Sequence, residues 1–114
     1  MRVTFAQVEY LGGHPRRPQP TSVAEKRALL VADDQGIHVR SLHGAIPSFT
    51  DLFMIPWSEM SHVSVEASEE NTRLTLCTHT YTCEFEIRRT QPAKVQGALA
   101  PWAHGLSGRR NEEP

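Results

Sequence analysis

The chain has 114 residues, 39% of them hydrophobic, and a net charge of −1. That length fits one domain of about 100–200 residues, and the charge balance excludes the basic excess of a general nucleic-acid binder. No apolar run approaches the roughly 18 residues of a membrane-spanning helix. The first ten residues, MRVTFAQVEY, carry no apolar signal region, so a cytoplasmic setting is expected.

Period-two alternation in short segments dominates the chain and reads as strands. The first is predicted over 2–10. Val3 and Phe5 share one phase, Val8 and Tyr10 the other, so a bulge is expected near Ala6-Gln7. Residues 11–23 hold Gly12, Gly13 and three prolines and are expected to form a long loop. Strands over 27–32 and 37–42 flank Asp33-Asp34-Gln35-Gly36, whose aspartates and glycine suit a tight turn. A second long loop is expected over 43–50, around Gly44 and Pro47.

The fourth strand is predicted over 52–57, with Leu52 and Met54 on one face and Phe53, Ile55 and Trp57 on the other. Pro56 restricts it to an edge or a strand end. A strand over 62–67 and the polar turn Ser68-Glu69-Glu70-Asn71 follow. A final hairpin pairs strands over 72–78 and 81–88. The period then lengthens. Val95, Leu99, Trp102 and Leu106 fall on one helical face, with Thr90 as the expected N-cap and Pro92 in the first turn. Pro101 is expected to kink the helix or to end its regular part near Ala100. One domain is therefore expected over 1–104, with a disordered tail over 105–114.

Cys77 and Cys83 invite a disulfide, but the hydrophobic pattern opposes it. Pairing Leu76 with Cys83 and Leu74 with Phe85 puts every apolar residue of the hairpin on one face. A slip of one residue would turn Leu74 and Leu76 towards the face of Glu84 and Glu86. Cys83 is therefore expected to be buried, Cys77 to lie on the opposite face, and both to be reduced, as suits the cytosol.

Seven strands closed by one C-terminal helix, with a bent first strand, predict a mainly β fold: a partly open antiparallel barrel of two near-orthogonal sheets. Several phrases add to this. They are Val8-Glu9-Tyr10-Leu11-Gly12-Gly13, Asp34-Gln35-Gly36-Ile37, and Ile55-Pro56-Trp57-Ser58-Glu59-Met60 leading into Val63-Ser64-Val65. With the element order they resemble the pleckstrin-homology-like superfold, in particular small bacterial versions related to GRAM domains, over about residues 2–104. The resemblance implies a helix packed over one end of the barrel. It also implies a scaffold whose loops bind lipid head groups, peptides or proteins.

Arg16, Arg17, Lys26 and Arg27 flank the first loop and are candidates for an anion or lipid head group. The family's phosphoinositide pattern is not met, because Ala28 and Leu29 follow Lys26-Arg27, and a solvated basic loop is the preferred reading. The six histidines form no compact ligand spacing with cysteine or acid. The nearest cluster, Asp33-Asp34 with His38, is expected to be a turn beside an exposed strand histidine. Cys77 with His79 falls short of the four ligands of a structural zinc, so neither metal nor cofactor is expected. No nucleophile elbow or phosphate loop is present, so the chain is not expected to be an enzyme. Trp57 and Trp102 are expected in the core. Leu52 and Met54, if exposed on an edge strand, would offer a site for a partner strand or a second copy. The expected function is a binding module for a protein partner or regulatory adaptor, with a peripheral membrane adaptor as the alternative.

Overall fold

The computed structural model describes residues 1–43 and 46–111, with side chains for 1–42, 46, 50 and 51–103. Seven strands follow in order: β1 (Val3–Gly12), β2 (Arg27–Ala32), β3 (Gly36–His43), β4 (Ile46–Pro56), β5 (Met60–Ser68), β6 (Asn71–Thr78) and β7 (Thr82–Ile87). A four-residue helix, α1 (Val23–Lys26), precedes β2, and a long helix, α2 (Pro92–Asn111), follows β7. They form one continuous antiparallel sheet in the order β4-β3-β2-β1-β7-β6-β5. The two sheets expected from the sequence are thus two meanders, β1–β4 and β5–β7, joined where β1 pairs with β7. Strands β4 and β5 are the two edges, linked only by a 3-10 turn over Trp57–Glu59.

The alternation in the sequence positions the core. Leu30, Ile37, Val39, Ile55, Leu76 and Phe85 are almost wholly buried. The β1 register shifts between Phe5 and Val8, where the change of phase places a bulge. In the last hairpin Leu74 faces Phe85 and Leu76 faces Cys83. Both cysteines are free, Cys83 buried and Cys77 half-buried. Helix α2 packs chiefly on β5 and also on β6, and Val95, Leu99 and Ala103 enter the core from it. Burying a leucine such as Leu99 contributes about 1.5–3 kcal/mol.

Four expectations change. The loop expected over 43–50 is largely strand: β4 starts at Ile46, and Pro47 faces Leu42 within the pairing. Proline is tolerated there because β4 is an edge, so its missing N–H breaks no inner ladder; Gly44 lies outside the described residues. The loop over 11–23 ends in α1, whose Ser22 side chain accepts the N–H of Glu25. Thr90 does not cap α2; its hydroxyl donates to the Arg88 carbonyl at 3.0 Å, and Pro92 opens the helix. Helix α2 continues through Pro101 to Asn111, into the stretch read as tail; the side chain of Leu106 and residues 112–114 lie outside the described residues.

The tryptophans sit at the rim of the core, both half-buried. Their rings stack with centroids 5.7 Å apart. Trp57 Nε1 donates to the Asp33 carbonyl at 2.7 Å, and Trp102 Nε1 to Asp34 Oδ1 at 2.8 Å. The pair ties α2 to the β2–β3 turn.

Candidate interaction surfaces

The four basic residues of the first loop are all exposed, but they stand on different elements. Arg16 and Arg17 lie in a tight turn, where Arg17 N–H donates to the His14 carbonyl at 3.0 Å. The Tyr10 hydroxyl pins that turn from below: it donates to the Arg17 carbonyl and accepts the His14 N–H at 3.0 Å. His14 is buried and stacks on Phe53 with centroids 3.8 Å apart. Burial, with the charge of Arg16, holds its pKa below the ordinary value. Gly13 makes the approach possible: its φ is +112°, and a Cβ there would lie 1.8 Å from the Thr82 carbonyl oxygen. Lys26 ends α1, and Arg27 begins β2.

Arg27 belongs instead with two residues that the sequence reading passed over. A cavity of about 430 Å³ is lined by Arg27, Arg88 and Arg89 together with Gln7, Glu9 and Leu42 among others. It lies where β1 bulges, and Arg88 N–H donates to the Gln7 carbonyl at 2.8 Å. The signal was the doublet Arg88-Arg89 at the end of the last strand.

On β3, the histidine expected to be exposed beside the Asp33-Asp34 turn, His38, is buried instead. His38 is buried between two carboxylates, with Nδ1 2.7 Å from Asp51 Oδ2 and Nε2 3.0 Å from Asp33 Oδ2. Arg40 Nε donates to Asp51 Oδ1 at 2.8 Å. Burial disfavours the imidazolium, but the hydrogen bonds and charges of Asp51 and Asp33 outweigh it and raise the His38 pKa. Both aspartates are pulled below the ordinary carboxylate value, against their own partial burial. The cluster is a closed ion-pair network. Among the described residues no group of three or more metal-ligating side chains is placed to hold an ion.

Leu52 and Met54 do lie on an edge strand, yet they do not share an exposed face. The β3–β4 register shifts between Val39/Phe53 and Arg40/Asp51, which leaves Leu52 in a bulge and packed against the core. Met54 faces His38 across the ladder and is half-buried. A bulge changes the phase of every side chain beyond it, so strict alternation misplaced Leu52.

The two edges differ. The β3–β4 ladder has two register shifts, and β4 contains Pro47 and Pro56; such features blunt an edge against further pairing. Strand β5 contains no proline or glycine. Its pairing with β6 is regular from His62 to Ser68, and α2 lies beside it. Strand β5 ends the strand order with β6 as its one neighbour in the sheet, and an edge strand is where an added strand can pair.

The topology, a seven-stranded antiparallel and partly open sheet with a C-terminal helix, is that of the pleckstrin-homology-like and phosphotyrosine-binding folds. The chain is similar to the C-terminal phosphotyrosine interaction domain of APBB2 from mouse, a solution structure. The TM-score is 0.58 at 16% identity, over 94% of this chain and 89% of that one. No protein-family model matches the sequence, and no curated protein matches it. No helix among the described residues is long and apolar enough to cross a membrane.

Proposed function

We propose that the chain is a non-catalytic protein-interaction module, a regulatory adaptor of the cytoplasm, that takes an extended peptide as an added strand beside β5. The observation that carries this reading is the contrast between the edges: β4 is interrupted by prolines and register shifts, whereas β5, the other edge, pairs regularly from His62 to Ser68, contains neither proline nor glycine and has α2 packed on it. Strand addition draws affinity from main-chain hydrogen bonds and specificity from alternate side chains. The mouse neighbour is named for phosphotyrosine interaction, which fits a peptide-binding use of this fold.

The test is selection of peptides from a display library, followed by amide-shift mapping. Bound peptides are expected to perturb Met60–Ser68 and α2, and N-methylation at alternate peptide positions is expected to abolish binding. Equal binding by the N-methylated peptides, or shifts confined to β4, would sink the reading. Self-association through the same edge would appear as a concentration-dependent mass in light scattering. The membrane alternative would draw on Arg16, Arg17, Lys26 and Arg27, which stand on separate elements: Arg16 and Arg17 in one turn, Lys26 at the end of α1 and Arg27 at the start of β2.

A further inference from the structure

We propose that the cavity bounded by Arg27, Arg88 and Arg89 is a binding site for a phosphate monoester. The site is separate from the β5 edge and independent of the peptide reading.

Three observations support it. First, among the described residues these three guanidinium groups make no ion pair, although Arg40 and Arg73 on the same sheet do. All three are exposed and line one concavity of about 430 Å³. Second, consecutive residues of a strand point to opposite faces, so Arg88 and Arg89 would part if β7 simply continued. It does not. Strand β7 stops at Ile87, and Arg89 takes a left-handed backbone conformation with φ of +53°. That conformation is unfavourable for a residue with a side chain, and Asn71 Oδ1 holds it by accepting the Arg89 N–H at 3.0 Å. Both residues line the same cavity.

Third, the charges match a dianion. Glu9 is the one acid lining the cavity, and it faces Arg27 across the β1–β2 ladder. Three guanidinium groups against one carboxylate leave a double positive charge. A phosphate monoester carries about −1.5 to −2 charges and three acceptor oxygens. Guanidinium groups suit it because their planar donor forks bind such oxygens in pairs. Lys94 adds a further cation on an adjoining concavity that Arg88 and Arg89 also line.

The test uses glycerol 3-phosphate, a soluble phosphate monoester, and neutral vesicles with and without phosphatidic acid, a lipid bearing the same head-group chemistry. Amide shifts on adding glycerol 3-phosphate are expected at Gln7, Arg88 and Arg89. The double variant Arg27→Gln/Arg88→Gln is expected to weaken binding about tenfold or more, as loss of hydrogen bonds to a charged group implies. The charge-matched control Arg16→Gln/Arg17→Gln is expected to change it far less. Capture on phosphatidic acid vesicles that follows the same variants would identify a lipid source. Soluble binding without vesicle capture would identify a small-molecule source. Shifts scattered over the surface, no shift at all, or equal losses in the two double variants would overturn the proposal. Thermal melts of each variant verify that it is folded.

Discussion

At the scale of single residues, His38 and its two carboxylates tie stability to pH. The raised pKa of His38 means that its contribution to stability is complete below the ordinary value of 6.5 and is lost as pH rises through the raised one. The lowered pKa values of Asp33 and Asp51 work in the other direction. Their contribution is complete above the ordinary 3.8 and is lost as pH falls through the lowered values. The network is therefore fully formed between about pH 3.8 and 6.5. His14, lowered by burial and by the charge of Arg16, makes stability fall with acid where His38 does not: it has no effect above 6.5, and a penalty grows as pH falls below that value. The difference between wild type and His38→Gln in urea titrations isolates the network. It should shrink as pH rises above neutrality. A pH-independent difference would refute the assignment. Asp51→Asn removes the partner shared by His38 and Arg40 and should cost about 1–3 kcal/mol.

The cysteines give a second prediction at this scale. Burial pushes the Cys83 thiol up to about 12, and the side chain is inaccessible. Reactivity requires thiolate and access. A thiol reagent should modify Cys77 in the native protein and Cys83 only on unfolding; one fast and one unfolding-limited phase is the expected trace. This division was legible in the sequence, because the phase of Leu74, Leu76, Cys83 and Phe85 fixes the register. The His38 network was not. It depends on Asp51 lying beside Arg40, which follows from a register shift in β4 that alternation alone cannot reveal.

Among the elements, α2 offers two substitutions of opposite sign. Leu99 is buried against the sheet, and Leu99→Ala should destabilise by about 2–5 kcal/mol. Gly97 sits in the same helix with nothing within 4 Å of where a Cβ would be. Gly97→Ala should stabilise by about 0.5–1 kcal/mol, through lost freedom of the unfolded chain. Thermal or urea unfolding measures both. Strands β6 and β7 were readable because each alternates without interruption, and β2 because its apolar run from Ala28 to Ala32 stops at the Asp33-Asp34-Gln35-Gly36 turn. Helix α2 was readable from the spacing of Val95 and Leu99, although it buries Ala103 more fully than Trp102. The start of β4 was not, since Pro47 reads as a loop unless the strand is known to be an edge. Helix α1 is too short to show a period, and its signal was only the cap at Ser22.

For the whole molecule, the count and kind of elements were legible, while the interaction surfaces were only partly so. The sequence named edge pairing as the mode and β4 as the edge. The topology leaves two edges, and their regularity favours β5. It also named basic residues in the first loop. The structure leaves Arg16 and Arg17 in their own turn and gathers Arg27 with Arg88 and Arg89, residues some 60 positions downstream along the chain. Such groupings depend on which strands meet, and the neighbours of β1 are β2 and β7.

The pairing of β1 with β7 has a consequence for assembly. The first and last strands form the middle of the sheet, so each meander carries one seam that only the other can fill. A cut in the turn after β4 would leave an N-terminal piece ending on an open β1 and a C-terminal piece ending on an open β7. Non-local closures of this kind are slow, and here the final closure falls at a natural division of the chain. Separately expressed halves, divided between Trp57 and Glu59, should rejoin into the native sheet when mixed. Their reporter-linked complementation would measure the strength of the β1–β7 seam.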